Sequence, residues 1–204
     1  MSTLHKPRCR TFAVCWLRHR ERNNGNRKSH PCQARSTRDT RIPLYIVSTD
    51  LSSGESVVLS TGKIVDAVRA SIAIPLILPP WQMGKRGLVD GAVLAPLPID
   101  VAIKEGADII VAVGFELPIR PRMRSYMQVT SHFNSLYMNN ILKASFAFHN
   151  LAHHAEVIPV LPELKQNIGA FDSDQLPYMI EQGARAAEEQ LPYINRLLEA
   201  EKSE

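Results

Sequence analysis

The stretch Ile99-Asp-Val-Ala-Ile-Lys-Glu-Gly-Ala-Asp-Ile-Ile-Val-Ala-Val-Gly114 decides the fold class. Its first part reads as a short helix, Ile99–Glu105, stopped by Gly106, because glycine accepts the left-handed backbone with which helices commonly end. Its second part, Asp108–Gly114, holds an unbroken apolar run. That is the pattern of a strand covered on both faces, as in parallel sheets. A helix feeding a covered strand is the repeating unit of a sheet with helices packed on it.

Upstream, Ile42-Pro-Leu-Tyr-Ile-Val-Ser-Thr-Asp50 reads as a second buried strand. Leu51–Glu55 is turn chemistry and Ser56–Ser60 a return strand, so the pair predicts a hairpin. Thr61 is placed to cap a helix over Lys63–Ser71, with Ile64, Val65 and Val68 on one face. Pro75, Pro79 and Pro80 forbid its continuation and predict an extended loop over 74–83. Downstream, residues 125–151 read as a long amphipathic helix with Tyr126, Val129, Phe133, Leu136, Tyr137 and Phe148 near a 3.6-residue period. The Met and aromatic side chains of 123–148 are assigned to the core. Glu156–Leu161 reads as a short strand, and 175–199 as a final helix. The expected architecture is α/β: a partial doubly wound, mostly parallel sheet with helices on both faces.

The 204 residues have room for one domain and a tail, and their 45% hydrophobic and 22% charged residues exclude collagen-like, disulfide-dense or wholly disordered classes. No run approaches the roughly 20 apolar residues of a membrane-spanning helix. Charge is unevenly spread. Residues 1–41 carry 11 basic against 2 acidic side chains, a net of +9, whereas the remainder carries 13 against 18, a net of −5. The chain is therefore divided into a basic, disordered arm (1–41), a folded body (42–198) and a tail (199–204). Within the arm, Thr11–Leu17 is apolar, but Arg18, His19 and Arg20 follow it instead of a cleavage site, so no secretory signal is assigned and a cytoplasmic chain is expected. Cys9, Cys15 and Cys32 with His19 or His30 fit no tetrahedral zinc spacing well. The arm lacks interleaved aromatics, and nucleic acid is not favoured as a partner.

The sequence resembles a known family. Arg69-Ala-Ser-Ile-Ala-Ile-Pro75, the pair Pro79-Pro80 before Trp81, and Gly87-Leu-Val-Asp-Gly-Ala92 followed by Leu97-Pro98 are similar to the C-terminal half of a patatin-like phospholipase domain. Gly106–Val113, Ala155-Glu-Val-Ile-Pro159, Phe171-Asp172 and Ile180-Glu-Gln-Gly183 extend the likeness, which covers 42–198. The resemblance implies a lipid acyl hydrolase with a Ser–Asp dyad, a lipid or acyl-ester substrate, contact with a membrane surface and no cofactor. It assigns Asp90 as general base, with Gly91 and Ala92 as motif neighbours. In such a dyad the carboxylate takes the serine proton directly. Burial beside Leu88, Val89 and Val93 should raise its proton affinity, while Gly91 frees the backbone and Ala92 leaves the approach open.

The other half of the dyad is not in these residues. None of the ten glycines opens a Gly-x-Ser-x-Gly; Gly54-Glu55-Ser56 is the nearest start, and Val58 occupies the second glycine position. Residues 1–41 stand where the family's glycine-rich loop and nucleophile elbow would be, and they are read as matching nothing in the family. The sequence thus predicts a truncated sheet without its N-terminal strands, inactive alone and self-associating through an open edge. The alternative is a non-catalytic lipid-binding pseudo-hydrolase or a gene fragment. His149 and His153, at i and i+4 with Glu156 nearby, are better suited to a helix end than to a metal. Ser48, Thr49 and Asp50 end a strand, with Asp50 read as a turn former.

Overall fold

The computed structural model of the chain describes residues 36–37, 40, 42–119, 122–152, 155–164, 166, 168 and 172–202. Most of the basic arm, with its cysteines, His19 and His30, lies outside these residues, as do His153 and Phe171. The described residues form a mixed α/β structure that divides between Leu94 and Ala95 into two compact units.

The first unit is a four-stranded sheet with one helix. Strands β1 (Ile46–Asp50) and β2 (Glu55–Leu59) form the expected hairpin. Its turn is closed by Asp50, whose Oδ1 accepts from the Ser52 N–H at 2.9 Å, and by Gly54 at φ +71°. Helix α1 (Ile64–Ser71) follows; its N-cap is Lys63, not Thr61 as expected, and no side chain caps its start. Strands β3 (Trp81–Met83) and β4 (Arg86–Asp90) make a second hairpin around Gly84, whose φ of +63° suits the first position of a two-residue turn. The order is β2-β1-β4-β3, every pair antiparallel.

Three expectations need correction in this unit. The sheet is not parallel: the apolar run of β1 does mark a strand buried on both faces, but its neighbours are reached through hairpins rather than helical crossovers. The 74–83 loop is shorter than its prolines suggest, since Trp81–Met83 pair with β4. Helix α1 buries Ala67 and Ala70 instead of the valine face, leaving Val65 52% exposed. Two alanines permit a closer approach to the sheet than branched side chains would. The folded unit also reaches back beyond Ile42: Ser36 bridges Lys63, and the Thr37 N–H donates to the Gly62 carbonyl at 2.9 Å.

The second unit contains α2 (Ile99–Lys104), β5 (Ile109–Val113), α3 (Tyr126–Ala152), β6 (Glu156–Val160) and α4 (Leu176–Lys202). Gly106, at φ +79°, ends α2: its N–H bonds the Ile103 carbonyl and the Ala107 N–H bonds that of Ala102, a Schellman closure. Strands β5 and β6 pair in parallel, Ile109 opposite Glu156 through Val113 opposite Val160. Tyr193 of α4 donates its hydroxyl to Glu156 at 2.7 Å, fastening that helix to the start of β6.

Helix α3 does not bury the aromatic stripe. Tyr126, Met127, Phe133, Tyr137 and Phe148 are exposed, whereas Asn139, Leu142 and His149 are buried. The stripe is periodic, but α3 turns Leu142 and the polar Asn139 inward. Asn139 accounts for that choice. Its Oδ1 accepts from the Leu117 N–H at 2.8 Å and its Nδ2 donates to the Leu117 carbonyl at 2.9 Å, satisfying both main-chain groups of one residue. Asn139→Ala would orphan both, and should cost about 2–3 kcal/mol in urea-induced unfolding.

Candidate active site

Asp90 is the last residue of β4, where the strand passes into a 3-10 turn, Gly91–Val93. Its main chain is held on both sides. The Asp90 N–H donates to the Ala73 carbonyl at 3.0 Å, and the Asp90 carbonyl accepts from Thr49 Oγ1 at 3.0 Å. Its Oδ1 accepts from the Ala92 N–H at 2.9 Å, capping the turn. Oδ2 has no hydrogen-bond partner among the described residues. Burial pushes the carboxyl above its ordinary range, and the Ala92 N–H opposes that shift only in part. One oxygen is thereby oriented by the main chain of the turn.

Gly91 serves a different purpose from the one expected. It does not adopt a left-handed backbone; the Val47 carbonyl of β1 occupies the space a side chain would need, its oxygen lying 2.3 Å from where a Cβ would stand. The contact lets β1 run directly beside the residue following the carboxylate. Ala92 contributes through its main chain, as the donor to Oδ1.

The strand-end residues of β1 are placed close by but engaged elsewhere. Ser48 lies opposite Asp90 in register, yet it is 0% exposed and its hydroxyl donates to the Val89 carbonyl. Asp50 is the turn former it was read as, and also pairs with Arg86 at 3.6 Å. Thr49, singled out in the sequence only for its place at a strand end, and Ala73, not singled out at all, hold the main chain of Asp90. Both act through contacts between segments far apart in the chain, for which no local signal exists. His149 is buried, and among the described residues no three His, Cys, Asp or Glu side chains converge as a metal site.

Strand β4 thus ends in an aspartate with one oxygen fixed and, among the described residues, the other unbonded, followed by Gly91 and Ala92, within a mixed α/β protein. The family model described as "Patatin-like phospholipase" matches residues 4–103, so the likeness begins inside the basic segment and not at Ile42 as expected, and this match ends within α2. Over these residues the chain is patatin-like. It is 43% identical to an uncharacterized NTE family protein of Mycobacterium tuberculosis over 72 residues, which are 35% of this chain and 20% of that protein. The same identity and coverage hold for a Mycobacterium bovis protein of that description. A second Mycobacterium tuberculosis NTE family protein is 42% identical over 57 residues, or 28% of this chain and 10% of that one. The match thus spans about a fifth or less of these relatives. No helix among the described residues is long and apolar enough to cross a membrane.

Proposed function

We propose that these residues supply the general-base half of a serine lipid acyl hydrolase acting on phospholipid or lysophospholipid esters. The observation that carries this reading is the Asp90 carboxylate, with Oδ1 held by the Ala92 N–H, Oδ2 unbonded among the described residues and its proton affinity raised by burial. Such a group can accept the proton of a serine hydroxyl as the hydroxyl attacks an ester carbonyl, and return it to the departing alcohol. The serine and its oxyanion donors would come from residues other than these 204, which contain no Gly-x-Ser-x-Gly. In this reading β5 and β6 belong to a larger doubly wound sheet whose N-terminal strands come from the same source. The pair has no third strand among the described residues, so the chain alone should self-associate through its edges.

The test is reconstitution. The 204-residue chain should not hydrolyse p-nitrophenyl butyrate above the buffer rate. Adding a family N-terminal half that carries Gly-x-Ser-x-Gly, as a separate polypeptide, should generate turnover and a monodisperse complex in light scattering. Turnover by the chain alone would refute the division of labour. A stable complex with no turnover would favour the non-catalytic lipid-binding reading.

A further inference from the structure

The segment between α1 and β3 combines several features that folding alone does not favour. Ile74, Leu76, Ile77 and Leu78 are all exposed, Leu76 by 77%, within five consecutive residues. Leu76 also has a φ of +68°, the only non-glycine with positive φ among the described residues. A leucine in that conformation is strained, and glycine would relieve it. Pro75, Pro79 and Pro80 restrict the backbone on either side. A stiff, strained loop that displays large apolar side chains to water is better explained by function than by packing.

The surroundings indicate which partner fits. The guanidinium of Arg69, at the end of α1, lies 5.3 Å from the Trp81 ring centroid, and its Nη1 is buried with no hydrogen-bond partner among the described residues. A cation stacked on an indole beside exposed aliphatic side chains matches the boundary between lipid headgroups and acyl chains, where amphipathic rings and Arg side chains gather. The segment also joins the candidate site directly, because Ala73, the residue before Ile74, accepts the Asp90 N–H.

We infer that Ile74–Leu78 is a membrane-insertion loop, which enters a phospholipid surface while Arg69 and Trp81 hold the headgroup level. The inference rests on the acyl-hydrolase reading for its choice of partner, and places the point of insertion one residue from the main-chain anchor of Asp90. A substrate ester lies just beneath the headgroups. A loop seated there would bring the carboxylate to the ester without lifting the lipid out of the bilayer.

The experiment uses the 204-residue chain and sucrose-loaded phosphatidylcholine vesicles at 0.5 M NaCl. High salt and a zwitterionic surface suppress any electrostatic contribution from the basic arm. The chain should sediment with the vesicles, and Leu76→Asn with Ile77→Ser should lower its partition coefficient by roughly tenfold or more. Both side chains are exposed and asparagine tolerates positive φ, so the variant should retain the parent circular dichroism spectrum. In a Trp16→Phe background, Trp81 emission should shift to the blue on binding and be quenched by brominated phosphatidylcholine. Equal partition of parent and variant, no partition, or unquenched Trp81 emission would each overturn the proposal. So would vesicle-independent self-association that the double substitution abolishes. Partition requires no turnover, so failure here would leave the reconstitution result standing, and the reverse also holds.

Discussion

Asp90→Asn in the reconstituted hydrolase should lower kcat by about 10³–10⁴-fold while raising the melting temperature of the 204-residue chain at pH 7. The two effects have one cause. Asparagine keeps the shape and can still accept the Ala92 N–H, so the turn Gly91–Val93 should survive. What it cannot do is take a proton, and removal of a dyad's base costs on the order of 10³–10⁴ in rate. The stability gain follows from the raised proton affinity of the native carboxyl. A group whose folded-state pKa lies above its unfolded value favours the fold when protonated, and loses that contribution as pH rises through the folded value. At pH 7 the native protein therefore buries a charge at some cost, which the amide avoids. The difference in melting temperature should shrink as pH falls and vanish below the ordinary aspartate pKa of about 4. Calorimetry from pH 3.5 to 8 measures it. A melting temperature lower for the variant across that range would refute the desolvated carboxylate.

Gly91→Ala should have the largest effect on the fold. A Cβ there would stand 2.3 Å from the Val47 carbonyl oxygen and 2.7 Å from its carbon. Both are main-chain atoms of β1, paired on one side with β2 and on the other with β4. No rotamer change relieves the clash, so either β1 shifts or the turn after Asp90 opens. Overpacking typically costs 1–3 kcal/mol when side chains can adjust; with a backbone as the obstacle, about 4 kcal/mol or more is expected. Against a domain stability of about 5–15 kcal/mol that can abolish folding. Urea denaturation followed by circular dichroism should show a collapsed midpoint or no transition. Gly54→Ala is a useful comparison, because no atom lies within 4 Å of its added Cβ and only its φ of +71° opposes the change, so its loss should be near 1 kcal/mol.

Elements with local causes were legible in the sequence. The hairpin of β1 and β2 follows from Asp50 and Gly54, the end of α2 from Gly106, and the two long helices came within a few residues of their bounds. Strand direction was not legible. Val47, Ser48, Thr49 and Asp50 are all buried, as the apolar run implies, but two-sided burial does not fix whether neighbours run parallel or antiparallel. Helix faces failed for a related reason. Periodicity identifies a stripe in α1 or α3 without saying that Ala67 and Ala70 approach a sheet more closely than Val65, or that Asn139 has a main-chain partner 22 residues away. The position of Asp90 came from the ordered blocks around it. The role of Gly91 did not, because its obstacle lies 44 residues away in the sequence.

That clamp between Asn139 and Leu117 also bears on the order of folding events. The bonds close a 22-residue excursion, and the asparagine amide is correctly aimed only after α3 has wound far enough to present it. Closing such a loop before the helix exists would sacrifice chain entropy for contacts not yet available. The clamp therefore belongs on the native side of the barrier. In a chevron plot its removal should lower the climb back out of the native state, accelerating unfolding by nearly the whole stability loss while leaving the refolding arm almost unmoved.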